Sequence, residues 1–190
     1  MLVLGIESSC DETGIALFSD KVGLIDHKVN SQIDLFKEYG GVIPEIAARD
    51  HSNKIVKILN KVLKENDVTI DQIDLIAYTA GPGLIGSLMV GETVAKTISK
   101  VKDIEIIPIH HLEGHILAPG IENRSLKPPY LCLLVSGGHT QIIDCDDYGQ
   151  YSILGETIDD ACGEAFDTVS YTHLRAHETG RNLVCRLLLE

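Results

Sequence analysis

No stretch of this sequence approaches the roughly 18 consecutive apolar residues that cross a membrane, so no transmembrane helix is expected. The opening Met1-Leu2-Val3-Leu4-Gly5-Ile6 is apolar but soon meets Glu7, Asp11 and Glu12. It is too short for a secretory signal and lacks the basic start of one. Paired cysteine spacing is missing too. Cys10, Cys132, Cys145, Cys162 and Cys185 are scattered, a pattern that points to reduced thiols and a cytoplasmic location. Basic residues are scarce: 16 Lys and Arg stand against 28 Asp and Glu, for a formal net charge of −12. Nucleic-acid-binding surfaces are normally basic, because Lys and Arg displace counterions from phosphates. The chain is therefore poorly suited to hold RNA alone, and the basic surface for any RNA must come from a partner or from further sequence. There is no Trp, no repeat of fixed period and no low-complexity linker. Hydrophobic content of 44% is ordinary for a globular α/β domain. A chain of 190 residues suffices for one well-buried core or for a fraction of a larger protein.

Basic residues are also unevenly spread. Every lysine falls within residues 1–168, whereas residues 169–190 carry only Arg175, Arg181 and Arg186. The switch sets 1–168 apart as the body and 169–190 as a tail of foreign or frame-shifted origin, to be left out of fold reasoning. Its His173 and His177, another pair four residues apart, are discounted with it. The competing reading is a native C-terminal helix, since Leu183, Val184, Leu187 and Leu188 have helical spacing.

Within the body, Leu2–Ile6 and Gly14–Phe18 read as strands around the polar turn Glu7-Ser8-Ser9-Cys10-Asp11-Glu12-Thr13. Pro44 opens a long helix with Ile55, Ile58, Leu59, Val62 and Leu63 as its buried stripe and lysines outside. Leu75–Tyr78 is a short buried strand, Leu84 to about Lys100 a helix, and Ile104–Ile109 a strand. A helix carrying a histidine pair follows, and an exposed loop is expected over 121–129. Tyr130–Val135 and Thr140–Ile143 form a hairpin, Tyr151–Leu154 is a strand, and a helix is expected from Asp159 near its N-cap to about Thr168. Strand pairs followed by alternating strands and helices indicate an α/β domain with a mixed sheet.

Two features carry chemistry. In His110-His111-Leu112-Glu113-Gly114-His115, His111 and His115 lie one turn apart on one helix face. Two imidazoles so placed can share a metal ion. Gly114 between them costs about 1 kcal/mol of helix propensity, which close approach of a ligand would explain. A carboxylate as third donor gives the set that suits Fe(II), with Zn also possible, but no residue of the body announces itself as that donor. Glu113 falls about 200° around the helix from His111. It therefore points away from the metal face, unlike the Glu directly after the first His in zinc proteases. The second feature is the strand end and Gly-Gly turn Leu134-Val135-Ser136-Gly137-Gly138. Its backbone N–H groups can hold a phosphate or carboxylate, although most such turns are plain hairpins. The Ser8–Thr13 turn has the same layout, and two phosphate-gripping hairpins in one domain are typical of actin-like ATPases.

Two further motifs read as packing or surface. Gly81-Pro82-Gly83-Leu84-Ile85-Gly86 is not a dinucleotide fingerprint and has no P-loop Lys, so backbone crowding explains its glycines best. Asp160, Glu164 and Asp167 share one face of the last expected helix, either a solvated acidic surface or a grip on substrate hydroxyl or amine groups.

Taken in order, Gly5-Ile6-Glu7-Ser8-Ser9-Cys10-Asp11-Glu12-Thr13, Tyr39-Gly40-Gly41-Val42, Ala80-Gly81-Pro82-Gly83-Leu84, the His110–His115 run, Leu134-Val135-Ser136-Gly137-Gly138-His139-Thr140 and Gly163-Glu164-Ala165-Phe166-Asp167 resemble the TsaD family. These are tRNA threonylcarbamoyladenosine biosynthesis proteins, once described as O-sialoglycoprotein endopeptidases. The resemblance runs from residue 1 to about 167, roughly the first half of a family member. It implies an actin-like ATPase (ASKHA) fold, the first lobe of a two-lobed protein. It also implies an acyltransferase, N6-L-threonylcarbamoyladenine synthase. The threonylcarbamoyl group passes from threonylcarbamoyl-AMP to the exocyclic amine of the adenosine 3′ of the anticodon, in tRNAs reading codons that start with A. By resemblance His111 and His115 bind one Fe(2+), with an Asp from the C-terminal half as third ligand. Leu134, Val135, Ser136, Gly137, Gly138 and Asp167 contact substrate. The implied partners are tRNA, an inactive paralogue and an ATPase subunit. Beyond Asp167 the chain departs from the family, so the chain as written is expected to be inactive or nearly so. The alternatives are a metal-dependent glycoprotein endopeptidase, a non-catalytic actin-like scaffold, and a plain actin-like ATPase or sugar kinase.

Overall fold

Alternating apolar residues decide the first sheet. In the computed structural model β1 (Leu2–Glu7) and β2 (Glu12–Ser19) pair antiparallel with Leu4 opposite Leu17 and Ile6 opposite Ile15, and all four are buried. The structure describes residues 1–166 and the backbone of 186–188. Asp167 and most of the stretch 169–190 thus lie outside the described residues. The chain divides into two compact units, Met1–Leu112 and Glu113–Glu190.

In the first unit β3 (Gly23–Ser31) joins β2 antiparallel, β4 (Leu75–Gly81) lies parallel to β1, and β5 (Glu105–His110) lies parallel to β4. The strand order is β3-β2-β1-β4-β5, a mixed sheet as expected. β3 was not foreseen, because Asp26, His27 and Lys28 interrupt its apolar signal at the sheet edge. A short α1 (Ile33–Phe36) precedes α2 (Pro44–Glu65), which begins with Pro44 in its first turn as expected. α3 (Ile85–Lys102) follows β4. Ile55, Leu59, Val62 and Leu63 of α2 pack with Leu4, Ile6, Ile15, Leu17, Ile76, Tyr78 and Ala95 into one core. Truncating one of its leucines to Ala costs about 2–5 kcal/mol.

α4 (His111–Leu117) begins at the end of the first unit and runs into the second. The second unit continues with α5 (Pro119–Glu122), β6 (Tyr130–Val135), β7 (Thr140–Asp147), β8 (Gln150–Glu156) and β9 (Arg186–Leu188). These strands form an antiparallel sheet in the order β8-β7-β6-β9. Cys132, Leu134, Ile143 and Cys145 are buried on one face by the period-2 rule. The exposed loop expected over 121–129 covers 123–129, while residues 121 and 122 end α5.

His110 ends β5, one residue beyond the expected strand. One expectation is corrected. The last helical residues begin at 162, not at Asp159. Their cap is the Thr140 hydroxyl, which accepts the Cys162 N–H at 2.8 Å, and Asp160 lies in the bend before them. Asp160 and Glu164 therefore do not form one helical acidic stripe, and Asp167 is outside the described residues.

Candidate functional site

Parallel strands that lie side by side bring their carboxyl ends to one edge of a sheet, the usual position for ligands in open α/β sheets. Here β1, β4 and β5 do so. Glu7 ends β1, Thr79 lies near the end of β4, and β5 delivers the chain to His111. The Glu7 carboxylate accepts the Ser9 backbone N–H, the Thr79 hydroxyl and, at 3.4 Å, His111 Nδ1. Ser9 Oγ also lies 3.1 Å from His111 Nδ1. Burial opposes the charge on Glu7, but the hydrogen bonds from His111, Ser9 and Thr79 outweigh it and hold the carboxyl at about 2. Glu7 is thus an anion at neutral pH, fixed by three donors.

The turn that follows Glu7 is built into the interior. Ser8, Ser9 and Thr13 are buried. Ser8 Oγ donates to Ser87 O at 2.8 Å, and Ser87 Oγ donates to Cys10 O at 3.2 Å. His51, fully buried on α2, donates from Nε2 to Cys10 O at 3.0 Å, which leaves its Nδ1 to accept the Thr13 hydroxyl at 2.7 Å. α3 and its lead-in press on the same turn. A Cβ on Gly83 would stand 2.4 Å from Ser9 O, and one on Gly91 would stand 2.4 Å from Ser8 Oγ. Backbone crowding, the expected reason for the Gly81–Gly86 glycines, therefore holds at Gly83. The first turn was expected to grip phosphate, but its hydroxyls are committed inside the protein. Burial first, then the charges of Asp11, Glu7 and Glu12, push the Cys10 thiol up to about 11, so it is a poor nucleophile.

α4 carries His111 and His115 one turn apart, as the spacing predicts. His111 is partly buried and His115 is exposed. Among the described residues beyond its own helix, a Cβ on Gly114 would meet nothing within 4 Å. The Glu113 carboxylate accepts the Tyr151 hydroxyl at 2.9 Å, consistent with its expected turn away from the histidines. Among the described residues no group of three His, Cys, Asp or Glu side chains is arranged to hold a metal.

The second turn is open. Ser136 N–H donates to His139 O at 2.7 Å and the Ser136 hydroxyl accepts His139 N–H at 3.0 Å, closing a loop with Gly137 and Gly138 at its tip. Both glycines are exposed, and a Cβ on either would meet nothing within 4 Å. Leu134 is buried beneath the turn and Val135 is half-buried. Helical residues 162–166 support the turn from behind: Gly163 N–H reaches Ser136 O at 3.3 Å, and a Cβ on Gly163 would stand 2.6 Å from that oxygen. Sequence reading missed Glu7, Thr79 and Ser9 as partners of His111 and missed His51 as the clamp on the first turn. No local pattern marks them, because their partners are tens of residues away.

A protein-family model described as TsaD, tRNA N6-adenosine threonylcarbamoyltransferase, matches residues 23–183. That range includes part of the stretch set apart by its arginine usage. Among solved structures, YeaZ from Pseudomonas aeruginosa is similar at 12% identity and TM-score 0.56, covering 82% of this chain and 65% of that one. A second, described as an uncharacterized protein with similarity to peptidase YEAZ from Pseudomonas aeruginosa, is 16% identical with TM-score 0.53. It covers 81% of this chain and 63% of that one. The chain thus spans a little under two thirds of the length of these structures, and the likeness shows their fold, that of the actin-like ATPases. Among the described residues no helix is long and apolar enough to cross a membrane.

Proposed function

Since the chain belongs to the TsaD family of tRNA N6-adenosine threonylcarbamoyltransferases, we propose that the full protein transfers threonylcarbamoyl from threonylcarbamoyl-AMP to tRNA. The acceptor is the exocyclic amine of the adenosine 3′ of the anticodon, in tRNAs reading codons that start with A, and AMP leaves. The observation that carries this reading is the pair His111 and His115 on α4, one turn apart, with open space at Gly114 between them.

Two imidazoles so spaced fit a transition metal as part of a donor set, and a carboxylate would complete the set preferred by Fe(II). That third ligand is not among the described residues, and by resemblance it is an Asp further along a longer chain. A metal held there supplies Lewis-acid polarisation and orientation of the donor. The exposed Gly137-Gly138 tip of the turn, carried by Ser136, is proposed to offer its backbone N–H groups to the departing phosphate and offset its charge, with Leu134 and Val135 forming the strand end beneath it. Asp167, outside the described residues, is proposed as a further substrate contact. With a net charge of −12 on this chain, the basic tRNA surface is proposed to come from further sequence or from partners, an ATPase subunit and an inactive paralogue.

The test uses the full-length protein with its partner proteins, threonylcarbamoyl-AMP and tRNA, with modified adenosine measured by mass spectrometry. His111→Ala and His115→Ala are expected to remove bound metal and activity together. A metal-free variant with an unchanged rate refutes the assignment. The second reading is a non-catalytic subunit of the same fold, with which the likeness to YeaZ is compatible. No turnover by wild-type protein, with or without metal, decides for it.

A further inference from the structure

Glu7 stands 104 residues before His111, yet its carboxylate oxygen lies 3.4 Å from His111 Nδ1. We infer that Glu7 is a positioning residue for the imidazole of His111, holding its proton on Nδ1 so that Nε2 presents its lone pair to a cation. The inference rests on the reading of His111 as a metal ligand.

A carboxylate can only accept, so the proton in this contact belongs to the imidazole. With Nδ1 protonated, the neutral ring has one lone pair left, on Nε2, which is the form a metal takes. Ser9 Oγ lies 3.1 Å from the same nitrogen, and with the proton on Nδ1 it can accept alongside Glu7. Glu7 is itself immobilised: one oxygen takes the Ser9 N–H and the other takes the Thr79 hydroxyl. The direction of the imidazole is therefore set from β1 and β4, independently of the helix that carries it.

Magnitude decides between this role and a stabilising ion pair. The side chains of His111 and Glu7 are 27% and 37% exposed, and pairs that reach water contribute little to folding. By contrast, the carboxylate behind a metal-bound histidine typically governs metal affinity by about 10–100-fold. The contact serves direction rather than stability.

The full-length wild type, Glu7→Gln and His111→Ala are titrated anaerobically with Co(II) as the probe. Wild-type protein labelled with 15N-histidine reports the His111 tautomer, and thermal melting reports folding. Glu7→Gln keeps the shape but offers an amide N–H₂ to Nδ1, which favours a proton on Nε2, where it competes with metal. The expected result is a wild-type His111 protonated on Nδ1, and a folded Glu7→Gln with about 10–100-fold weaker Co(II) binding and an altered tautomer signature. Equal Co(II) affinity in a folded Glu7→Gln overturns the inference and leaves the metal reading intact. Wild-type protein whose Co(II) binding is absent, or unaffected by His111→Ala, overturns both. Should Glu7→Gln fail to fold, the wild-type spectrum decides: a His111 proton on Nε2, or on both nitrogens, overturns the inference.

Discussion

The two hairpin turns look alike on paper and differ in three dimensions. Each is a strand end, a short run of serine and other small or polar residues, and a second strand. In the first, Ser8, Ser9 and Thr13 are buried and engaged with Ser87, His111 and His51. In the second, Gly137 and Gly138 are exposed and crowded by nothing. A hydroxyl that has spent its hydrogen bonds on the interior has none for a ligand, whereas an uncovered glycine tip does. The first turn organises the edge where His111 sits, and the second is proposed to meet the substrate.

The largest expected effect tests the first turn. His51→Ala removes a fully buried ring and deprives the Thr13 hydroxyl of its acceptor. Loss of a buried aromatic ring to Ala costs about 3–5 kcal/mol, and a stranded buried hydroxyl adds to the loss. Urea unfolding should show a midpoint lowered accordingly. A change below about 1 kcal/mol would mean that the turn holds without its clamp.

Next is Gly83→Ala. The new methyl would meet a backbone oxygen at 2.4 Å, which no side-chain rotation relieves. The expected cost is about 3 kcal/mol, the upper end for overpacking. Hydrogen exchange should rise at residues 8–13 in particular. Uniform exchange changes across the chain would separate the loss from the Ser9 contact.

Cys10 offers a chemical view of the same turn. An exposed thiol would be alkylated readily, but this one is held at about 11 against an ordinary 9.0. Raising a thiol's pKa lowers its thiolate fraction at any pH below that value, so at pH 8 alkylation should run roughly 100-fold slower than for an ordinary thiol. The rate should rise about tenfold per pH unit until near pH 11. Peptide mapping by mass spectrometry reads it directly, and a rate that levels off at pH 9 contradicts the local field described here.

How much of this could be read from sequence depends on distance along the chain. The α2 stripe, the β1 alternation and the His111/His115 pair all repeat within one or two turns or pleats, so local periodicity exposes them. β3 was missed because an edge strand tolerates the charges of Asp26 and Lys28. The helical start near residue 162 was misplaced because its cap is Thr140, 22 residues away. Glu7 reads as one acid among many until β1, β4 and β5 line up and place it behind His111. Gly83 was read correctly as crowded, but only the structure names Ser9 as the neighbour.

The second turn predicts smaller effects on folding and clearer effects on ligand. In Gly163→Ala the added methyl faces Ser136 O at 2.6 Å, but the gain of up to about 1 kcal/mol in helix propensity offsets part of the clash. A net loss of about 1 kcal/mol is expected, with AMP binding, measured by calorimetry, weakened by displacement of the turn. Equal AMP affinity in this variant would detach Gly163 from the proposed anion site.

Gly137→Ala is the mildest change and the sharpest comparison with Gly83→Ala. The substitution is the same, one methyl on a turn glycine, but at Gly137 it enters open space. Surface changes away from special features stay within about 0.5 kcal/mol, so the unfolding midpoint should hardly move. If the Gly137 and Gly138 N–H groups hold the adenylate phosphate, the methyl stands where that anion approaches, and AMP affinity falls while stability does not. Loss of stability without loss of affinity would assign the second turn the structural role of the first, and the contrast between the two hairpins would vanish.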